Sequence, residues 1–172
     1  MGAPMARNIL KKGHRLIVLD MQPAAVASLV AAGATAAATP KDVAAASEIV
    51  ITMLPDAPDV ERAALGPTGV VAGIRPGSVY IDMSTIDPAT TRRVGAAIAD
   101  KGAVMIDSPV GKTADAAVAG TLTLMVGGAD DGIARCRPLL DCMGTDFFHC
   151  GALGAGQTMK LINTLLATAG SE

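Results

Sequence analysis

The chain is nearly without aromatic residues: it has no Trp, one Tyr and two Phe. Proteins that grip single-stranded nucleic acid stack its bases on aromatic rings, so that class is excluded. Basic charge is not in excess either. Fourteen Lys and Arg stand against 16 Asp and Glu, a net charge of −2, so a duplex backbone would meet no positive field. Long apolar runs are also missing. Residues 49–54 form a strand-sized stretch, far below the roughly 20 residues of a membrane span. The opening Met1-Gly2-Ala3-Pro4-Met5-Ala6 lacks the charged-then-apolar layout of an export signal. Ala6 stands where a myristoylation signal needs Ser or Thr. Cysteine is scarce. Cys136, Cys142 and Cys150 form an odd set with no CxxC pair, which points to reduced, partly buried thiols rather than a disulfide framework or a metal site. The expectation is a cytoplasmic protein with neither nucleic acid nor membrane as a partner.

What is present is apolar bulk. Hydrophobic residues make up 51% of 172, enough for the core of one domain, or of one domain and the start of another. Strand-like runs alternate with helical ones. Strands are expected at residues 15–20, 48–54, 78–83, 103–107 and 122–126. The run at 48–54 is continuously apolar, as a strand buried on both faces is. Helices are expected at 4–10, 23–32, 41–47 and 56–65, from Asp87 to Lys101, at 129–143 with Pro138 inside, and at 156–169. Thr39-Pro40 and Asp87-Pro88 each put a capping side chain before a proline at the first helical position. An internal echo supports the alternation: Lys12-Gly13 precedes a strand ending at Asp20, and Lys101-Gly102 precedes one ending at Asp107. Such alternation implies an α/β fold, a doubly wound and mostly parallel sheet with right-handed crossovers. Its ligands belong beyond the carboxyl ends of the strands. The helix at 4–10 has no strand before it, and the helix at 156–169 has no partner after it. The sheet is therefore expected to lack its first strand, and the chain to be a fragment.

Several residues could carry chemistry. Asp20 ends a strand 18 positions after Gly2, where dinucleotide-binding units place an acid on the adenosine ribose hydroxyls. The acid also repels a 2′-phosphate. Thr52-Met53-Leu54-Pro55 and Asp82-Met83-Ser84-Thr85 end strands and could line a cofactor crevice. The turn after Asp107 presents a cation and a hydroxyl, Lys112 and Thr113, suited to an anionic head group. In the last helix Lys160, Asn163, Thr164 and Ala167 share a face, and a lysine beside an asparagine there can act as a proton donor. Each feature also has a plain structural reading: a solvated acid, ordinary strand ends, a surface lysine, and a lysine lying along a packed helix. His14 fits a helix end, His149 fits packing better than metal binding, and the nine Met fit the core.

In this order the pieces resemble the β-hydroxyacid dehydrogenase family, of the 3-hydroxyisobutyrate dehydrogenase type, along the whole chain. Residues 1–6 look like the end of its GLGxMGxPMA motif, with Gly2 as the third glycine. The two strand-end loops look like its cofactor loops, and Gly156 through Asn163 looks like the helix with its catalytic lysine. The resemblance implies a Rossmann-like dinucleotide domain over residues 1–152, followed at 153–172 by the first helix of an absent all-helical domain. It implies that Met1, Gly2, Asp20, Leu54 and Thr85 contact NAD, that Lys160 protonates the carbonyl oxygen as hydride arrives, and that Asn163 orients the substrate. The partner is then a small anionic aldehyde or hydroxy acid, with a homo-oligomer expected at full length. The family's substrate loop reads DAPVSGG, whereas this chain has Asp107-Ser108-Pro109-Val110-Gly111-Lys112-Thr113. That departure looks like sulfolactaldehyde reductase, which carries an arginine where Lys112 stands. A non-catalytic NAD-binding fragment or interaction module is the other alternative. The His-Asn pair of the 6-phosphogluconate dehydrogenases is absent after the lysine helix, which argues against oxidative decarboxylation.

Overall fold

The computed structural model describes residues 1–170. The chain runs α1 (Gly2–Lys11), β1 (Ile17–Val18), α2 (Pro23–Ala31), β2 (Thr35–Ala36), α3 (Pro40–Ala46), β3 (Ile49–Thr52) and α4 (Ala57–Leu65). A 3-10 turn at Val70–Ala72 leads to β4 (Val79–Asp82), α5 (Pro88–Ala99), β5 (Val104–Asp107), β6 (Val110–Gly111) and α6 (Ala114–Ala119). Then follow β7 (Leu122–Gly127), α7 (Asp130–Leu140), β8 (Gly144–Gly151) and α8 (Ala155–Ala169). Among the described residues no helix is long and apolar enough to cross a membrane.

The expected caps form. The Thr39 hydroxyl accepts from the Asp42 amide at 3.1 Å and Asp87 accepts from the Thr90 amide at 2.8 Å, each with proline in the first turn. Asp56 does the same for α4, accepting from the Asp59 amide at 3.1 Å. Each cap satisfies a helix N–H that has no carbonyl partner.

β3, β4 and β5 pair in parallel and in register, as expected of a doubly wound fold. Burial on both sides explains their continuous apolar runs. Ile81, Met83 and Ile106 face one layer, where Met5 and Ile9 of α1 and Ile133, Cys136 and Leu140 of α7 pack with Leu122, Leu124 and Val126 of β7. Val50, Tyr80 and Met105 face the other, against Val94 and Ile98 of α5.

The sheet departs from a simple parallel reading in three ways. First, β1 is two residues long, not six, and pairs only with β2, so the β1–β2 ribbon is separate from the six-stranded sheet. A small cluster of Val18, Leu29 and Ala34 holds it to α2. Second, β7 runs antiparallel to β5 and to β6. The expected β5-to-β7 crossover is replaced by β6 and the six-residue α6, with Gly120 in a left-handed turn at φ 71° reversing the chain. Third, α7 ends at Leu140 rather than at Met143, and residues 144–151 form the unexpected strand β8, parallel to β7. β8 is a largely uncovered edge, so its sequence shows neither alternation nor an apolar run.

Candidate active site

Three parallel strands end side by side in a polar row. Thr52, Asp82 and Asp107 are register partners on β3, β4 and β5 and sit on the same face as Tyr80. The Thr52 hydroxyl donates to Asp82 Oδ1 at 2.9 Å, which also accepts from the Ser84 amide at 3.1 Å. The Tyr80 hydroxyl is 2.8 Å from the same Thr52 oxygen. The Ser84 hydroxyl accepts from the Leu54 amide at 2.9 Å, joining the loops after β3 and β4. Gly2 at the start of α1 adjoins that pair, since a Cβ there would lie 3.8 Å from Met53 Cβ.

Asp107 turns to α8. Its two carboxylate oxygens accept from the Gly154 amide at 2.7 Å and the Gln157 amide at 2.8 Å, capping the helix that carries Lys160. Gly127 and Gly156 permit the close seat. A Cβ on Gly127 would come 2.4 Å from an Asp107 oxygen, and one on Gly156 would come 2.2 Å from the Met125 carbonyl oxygen.

Burial pushes the carboxyls of Asp82 and Asp107 up, and the hydrogen bonds to each pull the other way. Asp82 Oδ2 is buried with no partner among the described residues. The folded state thus binds the Asp82 proton more tightly than the unfolded chain does. Asp82 therefore favours folding below its ordinary value of 3.8, and that contribution is lost as pH rises through the raised folded value. Asp82→Asn should remove this loss. Urea denaturation between about pH 4 and pH 7 should show the variant gaining on the wild type as pH rises. Parallel stability curves would show that Asp82 does not titrate on unfolding.

The residues expected to bind and react are placed as follows. Met1 is exposed just ahead of α1, whose first turn has no acid and no side-chain cap. Its open N–H groups and positive helix end suit a phosphate, so this chain's residues fit a dinucleotide. Leu54 is half-buried and Thr85 exposed, side by side through the Ser84–Leu54 bond. Lys160 is half-buried and Asn163 exposed on α8. Asp20 is exposed just beyond β1, its Oδ1 accepting from the Gln22 amide at 2.8 Å. Thr113 opens α6 with no side-chain capping bond, its carbonyl accepting from the Ala117 amide at 3.2 Å. The Lys112 ammonium lies 2.7 Å from Asp146 Oδ2 on β8 and donates to the Thr121 carbonyl at 2.7 Å. Lys112 is also the one non-glycine with positive φ among the described residues, at 74°, a conformation that side chains resist. His149 Nε2 lies 3.1 Å from the carbonyl oxygens of Gly128 and Gly151, and its Nδ1 lies 3.3 Å from Asp130 Oδ1.

Sequence reasoning missed Asp107 as a helix cap and Gln157 altogether. The signal for the first was an acid ending a buried strand. The second had none, because Gln157 acts on residues 71 and 73 positions away.

Residues 1–151 match the family model described as the NAD binding domain of 6-phosphogluconate dehydrogenase, and the chain belongs to that family. It is 46% identical over 166 residues to the 3-hydroxyisobutyrate dehydrogenase of Pseudomonas aeruginosa, covering 96% of this chain and 56% of the relative. The NAD-dependent L-serine dehydrogenase of the same organism is 45% identical over the same shares. Among solved structures, Mycobacterium tuberculosis 3-hydroxyisobutyrate dehydrogenase with L-serine superposes with a TM-score of 0.92 at 36% identity, covering 97% of this chain and 56% of that one. The chain thus spans about half the length of the relatives it matches.

Proposed function

We propose that this chain supplies the cofactor-binding part of an NAD-dependent dehydrogenase of small 3-hydroxy acids, interconverting the alcohol and the semialdehyde. The observation that carries it is α8, which presents Lys160 and is capped by Asp107 at the edge where the loops of Leu54 and Thr85 meet. Residues 1–152 are the dinucleotide domain in this reading, supported by the family match ending at 151. Residues 153–172 begin the substrate side, of which Ser171 and Glu172 lie outside the described residues.

Bound NAD would supply the hydride acceptor. Met1, Gly2, Asp20, Leu54 and Thr85 would hold it, with the pyrophosphate toward the start of α1 and Asp20 on the ribose. Lys160 would pass a proton to or from the substrate oxygen, and Asn163 would orient the substrate. Lys112 and Thr113 would take its acid group. The ion pair between Lys112 and Asp146 is exposed to solvent, which screens it, and a substrate carboxylate can displace it. The substrates named for the relatives, 3-hydroxyisobutyrate, L-serine and 2-(hydroxymethyl)glutarate, share a hydroxymethyl group beside the carbon that bears a carboxylate. That shared group defines the substrate class proposed here.

The test is oxidation of these three acids, and reduction of sulfolactaldehyde, by the full gene product. NAD(H) should give a higher kcat/KM than NADP(H), because Asp20 would face a 2′-phosphate at close range. Asp20→Ala should narrow the gap, chiefly through KM for NADP(H). A wild-type preference for NADP(H) would remove Asp20 from the ribose. Absence of turnover with every acid would overturn the dehydrogenase reading.

A further inference from the structure

Gln157 is fully buried, and both ends of its side-chain amide are used. Nε2 donates to the Ser84 carbonyl at 2.7 Å, and Oε1 accepts from the Ile86 amide at 3.0 Å. The two partners flank Thr85, so the side chain reads the backbone of this loop as a neighbouring strand would. Ser84 in turn holds the Leu54 amide through its hydroxyl at 2.9 Å. The Gln157 backbone amide meanwhile donates to Asp107 at 2.8 Å. One residue thus ties the first turn of α8 to the ends of β4 and β5, and through Ser84 to the end of β3. Burying a carboxamide is costly unless its polar atoms are paired, and an apolar side chain would fill the same space without that requirement. What the amide adds is a fixed register between α8 and the Thr85 loop. Lys160 lies three residues further on, one turn up the same helix.

We propose that Gln157 is a positioning residue for the hydride-transfer step. It fixes the distance between Lys160 and the loop of Thr85, so that the proton donor and the cofactor face the same substrate atom pair. This rests on the reading of Lys160 as proton donor. Displacing a reacting group by an ångström can cost on the order of 100-fold in rate.

Gln157→Met keeps the length of the side chain and removes both bonds. Gln157→Glu keeps both bonds while its carboxyl is protonated, and when ionised it sets a carboxylate oxygen against the Ser84 carbonyl. In the full gene product the Met variant should lose about 10- to 100-fold in kcat, with KM for NAD unchanged within about twofold. The Glu variant should stay near the wild-type kcat where its carboxyl is protonated and lose kcat as the carboxyl ionises with rising pH, a dependence that a space-filling role would not produce. Amide exchange at Ile86 should accelerate in the Met variant. Wild-type kcat together with accelerated Ile86 exchange would overturn the proposal, as would a kcat loss matched by an equal rise in KM for NAD. If the Met variant does not fold, the Glu variant decides: a kcat that falls with rising pH beyond the wild type's own profile, at unchanged KM for NAD, supports the role, and a pH profile identical to the wild type's overturns it. An inactive wild type would instead overturn the dehydrogenase reading, and it would do so with the Ile86 amide still protected.

Discussion

Lys160→Ala is expected to lower kcat by about 10²- to 10⁴-fold in the full gene product, the usual size of a lost general acid or base. Affinity for NAD should change little, because the proposed cofactor contacts lie on α1 and the loops after β1, β3 and β4. Lys160 is half-buried, one turn beyond the segment that Asp107 and Gln157 fix. Its ammonium makes no ion pair among the described residues, so it is available to a substrate oxygen. Its backbone carbonyl accepts from the Thr164 hydroxyl at 2.9 Å, an interaction that the Ala variant keeps. The loss should therefore appear in kcat and kcat/KM together, as when an interaction made only in the transition state is removed. Near-normal turnover by Lys160→Ala would take the residue out of the mechanism.

The parts of this arrangement that were legible in the sequence are those with a local signal. Thr39-Pro40 and Asp87-Pro88 announce helix starts because capping is decided within four residues. The runs around Val50, Ile81 and Ile106 announce strands because burial on both faces demands unbroken apolar character. Lys160 and Asn163 could be placed on one helical face by counting. The illegible parts depend on partners far along the chain. Asp107 reads as one more acid at a strand end, and nothing near it says that its carboxylate caps a helix beginning 48 residues later, at Ala155 (155 − 107). Lys112 reads as an open cation, yet Asp146 on the unforeseen β8 occupies it and is held below its ordinary range by the ammonium. The antiparallel return of β7 was hidden because Leu122–Gly127 is as apolar as a parallel central strand. Strand direction leaves no mark on a strand that is buried on both faces.

Gly156→Ala should strongly destabilise the protein. In an ordinary helix this change stabilises by about 0.5–1 kcal/mol, because alanine has less backbone freedom to lose. Here the added Cβ would sit 2.2 Å from the Met125 carbonyl oxygen, 2.8 Å from Asp107 Oδ2 and 3.1 Å from the Gly127 amide nitrogen. Two of those atoms are backbone of a buried central strand, which cannot rotate away. The helix must lift instead. Lifting α8 stretches the bonds from Gly154 and Gln157 to Asp107 and those from Gln157 to the Thr85 loop. Each buried polar group left unpaired costs about 1–3 kcal/mol, so the clash outweighs the helical preference and the net loss should reach about 3 kcal/mol. Urea denaturation should show a lower midpoint, and kcat should fall with it, because Lys160 moves with the helix. Gly127→Ala presses on the same Asp107 carboxylate from the strand side, at 2.4 Å, and should act in the same direction. A Gly156→Ala protein within about 0.5 kcal/mol of the wild type would show that α8 is not seated this closely on β7.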